Sequence, residues 1–122
     1  MSEKKTVLLV DDEADIRELY KLVLEAAGYA VIVVSGAQAA LDILAAHPVD
    51  LLITDYQMPE MSGRELIAAL REAYPRLPTI LASGQTNVKA LAQACGASAY
   101  YPKSTTTRQL VDLVTQQLCA VS

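Results

Sequence analysis

The chain has 122 residues, of which 52% are hydrophobic and 20% are charged, so it can bury a core and is too apolar for wholesale disorder. Its 10 Lys and Arg against 14 Asp and Glu give a net charge of −4, which argues against direct binding to nucleic acid because phosphates are repelled on average. The length predicts a single domain over residues 1–122.

Membrane insertion and disulfide bonding are also not expected. No apolar run approaches the length needed to cross a bilayer, and the N-terminus lacks the pattern of a signal peptide. Cys95 and Cys119 are too few for a disulfide scaffold and have no metal-ligand spacing. These features predict a cytoplasmic protein with reduced thiols.

Short apolar runs alternate with amphipathic stretches along the whole chain. In chain order the predicted elements are strand Thr6–Val10, helix Ala14–Ala27, strand Ala30–Val34, helix Ala37–Ala46, strand Asp50–Thr54, helix Ser62–Tyr74, strand Pro78–Ala82, helix Thr86–Cys95, strand Ala97–Tyr101 and helix Thr105–Leu118. The first three strands are apolar without alternation, which is typical of strands buried on both faces of a parallel sheet.

The helices are predicted from apolar residues that recur at three- and four-residue spacing. For the first helix we expect the buried stripe to be Ile16, Leu19, Val23 and Ala27. The breaks between helices and strands are marked by glycine or proline, as at Gly28.

Five consecutive strand–helix units require right-handed crossovers and therefore predict a doubly wound α/β fold. The expected architecture is a flavodoxin-like (βα)5 fold, a five-stranded parallel sheet in the order 2-1-3-4-5. Its topological switch point lies between strands 1 and 3, so a ligand is expected outside the carboxyl ends of those two strands.

Polar residues follow the strands at that edge of the sheet. Strand 1 leads into Asp11 and Asp12, strand 3 into Asp55, strand 4 into Ser83 and strand 5 towards Lys103. Three converging carboxylates repel one another unless a cation relieves them. The Lys103 ammonium is one such cation and a divalent metal is another, and oxygen ligands with room for water favour Mg²⁺.

A carboxylate beside Mg²⁺ can act as a nucleophile on phosphorus. The three oxygens of the resulting acyl phosphate could be taken by Mg²⁺, by Lys103 and by the Ser83 hydroxyl. The alternative is that the acids are helix caps and turn residues, which stays open for Asp12 because the first helix follows at once. For the whole set, the four strand ends that each supply a suitable group argue against that alternative.

The stretches Val7–Glu13, Leu51–Gly63 and Ile80–Gly84 and the region around Lys103 resemble the receiver domain of two-component response regulators. The resemblance covers essentially all of the chain, and its most specific segment is Asp55-x-x-Met58-Pro59-x-Met61-x-Gly63. It implies that Asp55 accepts a phosphoryl group from a histidine kinase or a histidine phosphotransfer protein.

The resemblance also implies roles for further residues. Mg²⁺ would be held by Asp12, Asp55 and the backbone carbonyl of Gln57, with Asp11 acting partly through water. Ser83 matches the switch hydroxyl and Tyr100 the switch aromatic. Phosphorylation would switch the surface formed by helix 4, strand 5 and helix 5 towards a downstream protein target that the sequence does not identify.

The loop after strand 5 departs from the family. The family usually follows its lysine with proline through a cis peptide bond, whereas Ser104 follows Lys103 here and Pro102 precedes it. Because a cis bond before a residue other than proline costs roughly 2.5–4 kcal/mol, we expect a trans bond and a less firmly aimed Lys103. The stretch from Ser83 to Lys103 is also short by about half a helical turn.

Three functions compete. The first is a phosphoacceptor signalling module that is not an enzyme beyond Mg²⁺-dependent self-phosphorylation and autodephosphorylation. The second is a phosphatase of the haloacid-dehalogenase type, which needs an acid two residues after its nucleophile, where this chain has Gln57. The third is a pseudo-receiver that binds partners without phosphorylation; such proteins usually lose the acids that this chain retains, but the altered Lys103 loop keeps it as the alternative.

Overall fold

A computed structural model of the protein describes residues 4–58 and 61–120, in which strands and helices alternate. Their bounds are β1 Thr6–Val10, α1 Ala14–Ala26, β2 Ala30–Val34, α2 Ala37–Ala46, β3 Leu51–Asp55, α3 Gly63–Ala73, β4 Thr79–Ser83, α4 Val88–Cys95, β5 Ala99–Pro102 and α5 Thr107–Ala120. Every predicted element is present, and each end lies within two residues of the expected position. Within the described ranges, no helix is both long and apolar enough to cross a membrane.

The strands form one parallel sheet in the order β2-β1-β3-β4-β5, which confirms the predicted fold. The register pairs Val10 with Thr54 and Asp55 with Ala82, and it pairs Ser83 with Pro102. The carboxyl ends of the strands are therefore level with one another, and the residues that follow them meet at one edge.

Helices cover both faces of the sheet. Because side chains alternate along a strand, Val7 and Leu9 of β1 face a cluster that includes α1 and α5, whereas Leu8 and Val10 face a cluster that includes α2 and α3. The three central strands are buried except for Thr6 at the start of β1, but all five residues of the edge strand β2 are half-buried. The core is mainly aliphatic because the chain has no Phe or Trp.

The predicted buried stripe of α1 is only partly right, because Ile16 packs against the core and Val23 is half-buried as expected, but its other two residues are exposed. Leu19 is 45% exposed and Ala27 is exposed, whereas Tyr20 and Leu24 are buried. The buried face thus runs along Ile16, Tyr20 and Leu24, so it includes Tyr20 in place of the expected Leu19. The ring of Tyr20 packs edge to face against Tyr101 of β5.

Candidate functional site

The structure brings the predicted residues to the same edge of the sheet. Asp11 directly follows β1, Asp55 ends β3, Ser83 ends β4 and Lys103 directly follows β5. Asp11, Asp55 and Ser83 are buried at 1%, 8% and 3% exposure, whereas Asp12 is exposed. The side chains of Asp11, Asp55 and Ser83 are therefore shielded from bulk water, whereas the exposed Asp12 marks the side of the site that faces solvent.

Four carboxylates converge at this edge. Asp11, Asp12, Glu13 and Asp55 each offer one oxygen, and these oxygens all lie within 4.8 Å of one another. Sequence reasoning did not identify Glu13, although it is the third acid in an unbroken run. Glu13, and not Asp12, is the N-cap of α1, and its side chain makes no capping hydrogen bond. The helix-cap alternative for Asp12 is thus not met.

Asp11 is held by four hydrogen bonds, one of which its backbone N–H donates to the carbonyl of Val34 at 3.2 Å. Its Oδ1 accepts a bond from the backbone N–H of Glu13 at 2.9 Å, and its Oδ2 accepts one from Nζ of Lys103 at 2.9 Å. Nη1 of Arg17 donates to its backbone carbonyl at 2.7 Å, which ties the turn to the first helix. Both oxygens and the backbone of Asp11 therefore have defined directions.

Lys103 lies among the carboxylates. Its Nζ is 2.9 Å from Oδ2 of Asp11, 3.1 Å from Oδ1 of Asp55 and 3.8 Å from Oε1 of Glu13. Burial by itself would lower the pKa of Lys103, but the hydrogen bond and charge of Asp11, together with Asp55, raise it above its usual value. Lys103 is therefore a protonated counter-ion inside the cluster.

The pKa of Asp55 is also raised, but for a different reason. Burial raises the pKa of this carboxyl, and the neighbouring charge of Asp11 adds to the increase. The charge and hydrogen bond of Lys103 oppose the increase without cancelling it. Asp55 is thus a carboxyl group whose negative charge is poorly solvated and gains from any further cation that approaches.

The Lys103 loop has no cis peptide, as expected, because all peptide bonds of the described residues are trans. The expectation of a less firmly aimed lysine is not met, since Nζ lies within hydrogen-bonding distance of both Asp11 and Asp55. The backbone N–H of Lys103 donates to the carbonyl of Ser83 at 2.9 Å, which extends the β4–β5 pairing by one residue.

The two other residues predicted for the site are Gln57 and Ser83. Gln57 lies two residues after Asp55 and is exposed. The Ser83 hydroxyl oxygen accepts a hydrogen bond from the backbone N–H of Gln85 at 3.0 Å, which orients the hydroxyl at the end of β4.

Tyr100, the predicted switch aromatic, lies away from the carboxylates. Its side chain is 38% exposed and lines a groove of about 690 Å³ between α4 and α5, together with Lys89, Gln109 and Leu113. The next residue, Tyr101, is buried on the opposite face of β5. The structure thus places Tyr100 on the surface formed by α4, β5 and α5, as the resemblance implies.

The loop after Asp55 is fixed by packing. Met58 and Met61 are partly buried against the core cluster on the α2–α3 side, as expected for residues that fix a turn. Pro59, which belongs to the same motif, lies outside the described residues. The N–H of Gly63 donates to the carbonyl of Tyr56 at 2.8 Å, so α3 begins directly against the backbone of the candidate nucleophile.

This arrangement suits one kind of chemistry. Clustered carboxylate oxygens at an open edge can bind a divalent cation, for which Mg²⁺ is the common choice. A buried carboxylate beside an ammonium can attack an electrophile while the ammonium stabilises the negative charge that develops. The geometry therefore favours transfer of an anionic group to Asp55.

Comparisons with known proteins point to one family. The model of the response regulator receiver domain matches residues 7–115. Response regulator protein FleR of Pseudomonas aeruginosa is 37% identical over 110 residues, covering 88% of this chain and 23% of FleR. Transcriptional regulatory protein CpxR of Escherichia coli K12 is 37% identical over 107 residues, covering 86% of this chain and 45% of CpxR. The chain thus spans less than half the length of these curated relatives.

Solved structures of similar length have the same fold. Chemotaxis response regulator CheY4 of Vibrio cholerae matches with a TM-score of 0.86 and 28% identity, covering 94% of this chain and 99% of that one. A CheY-like receiver domain protein from Methanospirillum hungatei matches with a TM-score of 0.89 and 26% identity, covering 98% and 97%. The chain therefore belongs to the response regulator receiver domain family, the signalling modules of two-component systems.

Proposed function

We propose that this chain is one receiver domain that acts as a cytoplasmic phosphoacceptor, in which Asp55 takes a phosphoryl group from a histidine kinase or a histidine phosphotransfer protein. The observation that carries the proposal is the 3.1 Å contact between Oδ1 of Asp55 and Nζ of Lys103, at an edge where carboxylates converge. Family membership supports a signalling role, with chemistry limited to phosphorylation and dephosphorylation of the chain itself.

In the proposed reaction a carboxylate oxygen of Asp55 attacks the phosphorus atom of a phosphohistidine. A P–O bond forms, the P–N bond to the donor imidazole breaks, and the imidazole leaves with the electron pair and takes a proton from water. The Lys103 ammonium binds one phosphoryl oxygen, and the Ser83 hydroxyl donates to another. Each partner already lies at the edge of the sheet where the reaction is proposed.

The acidic cluster fits a divalent cation. Mg²⁺ would be held by Asp11, Asp12, Asp55 and the backbone carbonyl of Gln57, and Glu13 adds a further oxygen within the same 4.8 Å. When bound, the ion supplies positive charge that offsets repulsion between the acids and the incoming phosphoryl group. The raised pKa of Asp55 is in keeping with a carboxylate that lacks sufficient positive charge in the metal-free protein.

The output of the module is proposed to be a protein contact. The surface formed by α4, β5 and α5 carries the exposed Tyr100 and the groove beside it. Phosphorylation would change this surface through Ser83 and Tyr100, and a downstream protein would bind the changed form. A pseudo-receiver role is not favoured, because the acids and Lys103 are all retained and lie in contact.

The proposal is tested by intact-protein mass spectrometry after treatment with acetyl phosphate and Mg²⁺. Wild type should gain one phosphoryl group, and Asp55→Asn should not. Asp112→Asn is the matched control because Asp112 is an exposed acid on α5, and this variant should react like wild type. No adduct in wild type with either acetyl phosphate or a phosphorylated histidine protein, or an adduct that survives Asp55→Asn, would contradict the proposal.

A further inference from the structure

Tyr101 makes contacts that no predicted role explains. Its side chain is 2% exposed and its ring packs edge to face on Tyr20, with ring centroids 5.9 Å apart. Its hydroxyl donates to two consecutive backbone carbonyls, those of Thr105 at 3.1 Å and Thr106 at 2.9 Å. Packing alone would be satisfied by any large apolar residue, so the hydroxyl has a separate effect on the segment that it reaches.

That segment is the turn that carries Lys103. The carbonyl of Pro102 accepts hydrogen bonds from the backbone N–H of Thr105 at 3.0 Å and from its Oγ1 at 2.7 Å, which closes a turn around Lys103. The beginning of the turn is attached to β4 through the bond from Lys103 N–H to the Ser83 carbonyl. The end of the turn is attached to β5 through the Tyr101 hydroxyl.

We propose that Tyr101 is a positioning residue for Lys103, because its hydroxyl holds the far end of the Lys103 turn and so keeps the ammonium on Asp11 and Asp55. A lysine side chain has four flexible bonds and no preferred direction of its own, so its aim depends on where its backbone is held. The contacts of Nζ at 2.9 Å and 3.1 Å leave little tolerance for a moving turn. In this chain the direction of the Lys103 side chain is thus set by a turn of trans peptides whose far end is held by the Tyr101 hydroxyl.

The activity part of the test rests on the proposed function. Tyr101→Phe removes one oxygen atom and keeps the buried ring. Tyr29→Phe is the matched control, since it also removes a hydrogen-bonded tyrosine hydroxyl, here the 2.6 Å contact with Thr115 of α5, at a site remote from the turn. Each variant is made in the wild-type background and in Lys103→Met, and the rate of phosphorylation by acetyl phosphate with Mg²⁺ is measured for all of them.

We expect Tyr101→Phe to slow phosphorylation about 3- to 10-fold, the range that corresponds to one lost hydrogen bond, and Tyr29→Phe to leave the rate unchanged. In the Lys103→Met background Tyr101→Phe should have no further effect, because the group that it positions is gone. An equal loss in both backgrounds would show that Tyr101 acts on stability or on another residue and would overturn the proposal. A wild-type rate of phosphorylation in Tyr101→Phe would also overturn the proposal.

Amide hydrogen exchange separates this inference from the proposed function. Tyr101→Phe should speed exchange at the amides of Lys103 and Thr105, and Tyr29→Phe should not, whether or not the chain accepts a phosphoryl group. Unchanged exchange at both amides would refute the proposal that the Tyr101 hydroxyl holds the Lys103 turn, even if phosphorylation is observed. If Tyr101→Phe is poorly folded, Thr105→Val removes the Oγ1 bond to Pro102 from the same turn and should show the same dependence on Lys103.

Discussion

Gly63 at the start of α3 should not tolerate even a methyl group. A Cβ at this position would lie 3.0 Å from the carbonyl carbon of Asp55 and 3.0 Å from Cα of Tyr56, and it would collide with the Asp55 carbonyl oxygen. Because carbon atoms pack at about 3.5–4.0 Å, the two carbon contacts alone require α3 to move away from Asp55 by roughly 0.5–1 Å, and the collision with the carbonyl oxygen requires a larger shift. The bond from Gly63 N–H to the Tyr56 carbonyl would lengthen as well.

The expected cost follows from these contacts. Overpacking of this kind costs about 1–3 kcal/mol, and the smaller entropy of the unfolded chain returns about 0.4–1 kcal/mol. The difference between these ranges reaches about 2.5 kcal/mol, and because the Cβ would overlap a backbone oxygen we expect Gly63→Ala to lower the free energy of unfolding by about 1–2.5 kcal/mol, which is roughly 3–10 °C in the melting temperature. Urea unfolding followed by far-ultraviolet circular dichroism measures this, since the chain has no Trp to report by fluorescence.

Gly84→Ala is the matched control at the same edge of the sheet. A Cβ at Gly84 would meet no atom within 4 Å, so this variant should stay within about 0.5–1 kcal/mol of wild type or be slightly more stable. Equal stability of the Gly63 and Gly84 variants would refute the argument that α3 is closely packed against Asp55.

Three further predictions concern metal, backbone and pH. The free energy of unfolding should rise with Mg²⁺, by about 2.7 kcal/mol at 100 times the dissociation constant, and Asp12→Ala should abolish the increase; an equal response in both proteins would exclude the site. Gly96 has φ +80°, and a Cβ at this position would meet the Arg71 guanidinium, so Gly96→Ala should lower the free energy of unfolding by about 1–2 kcal/mol. The loss should be smaller in an Arg71→Ala background, whereas strictly additive losses of stability would contradict the contact. Burial raises the pKa of Tyr20 above its usual value, so the unfolded chain releases this proton near pH 10 while the folded chain keeps it. The free energy of unfolding should therefore fall as the pH rises above about 10, by up to about 1.4 kcal/mol per pH unit from this residue, and a Tyr20→Phe variant with the same slope would show the assignment to be wrong.

Most of the fold could be predicted from the sequence because local and global preferences agree. The bounds of β1, β2 and α2 were predicted to the residue, since glycine, proline or acidic residues stand at their ends. The buried face of α1 could not be predicted from periodicity alone. Tyr20 is buried in place of Leu19, and its ring packs on Tyr101, which is distant in the sequence.

The candidate site likewise has a part that could be predicted from the sequence and a part that could not. Positions directly after strands were predictable, because parallel strands of level register bring Asp11, Asp55 and Lys103 together whatever their side chains do. Contacts that depend on the reach of a long side chain could not be predicted from the sequence. Glu13 lies near Lys103 and Arg17 binds the Asp11 carbonyl only because α1 starts at a particular angle, which no sequence pattern encodes.

The edge strand β2 bears on how the protein behaves in concentrated solution. Among the described strands it pairs with β1 alone, so the backbone groups on its outer side are free to pair with another chain. The strand consists of Ala30 and four consecutive β-branched residues without charge or proline, which is the composition that favours intermolecular sheets. Self-association should therefore start at this edge without prior unfolding of the domain, so the concentration at which the protein stays monomeric is expected to depend on β2 more than on global stability.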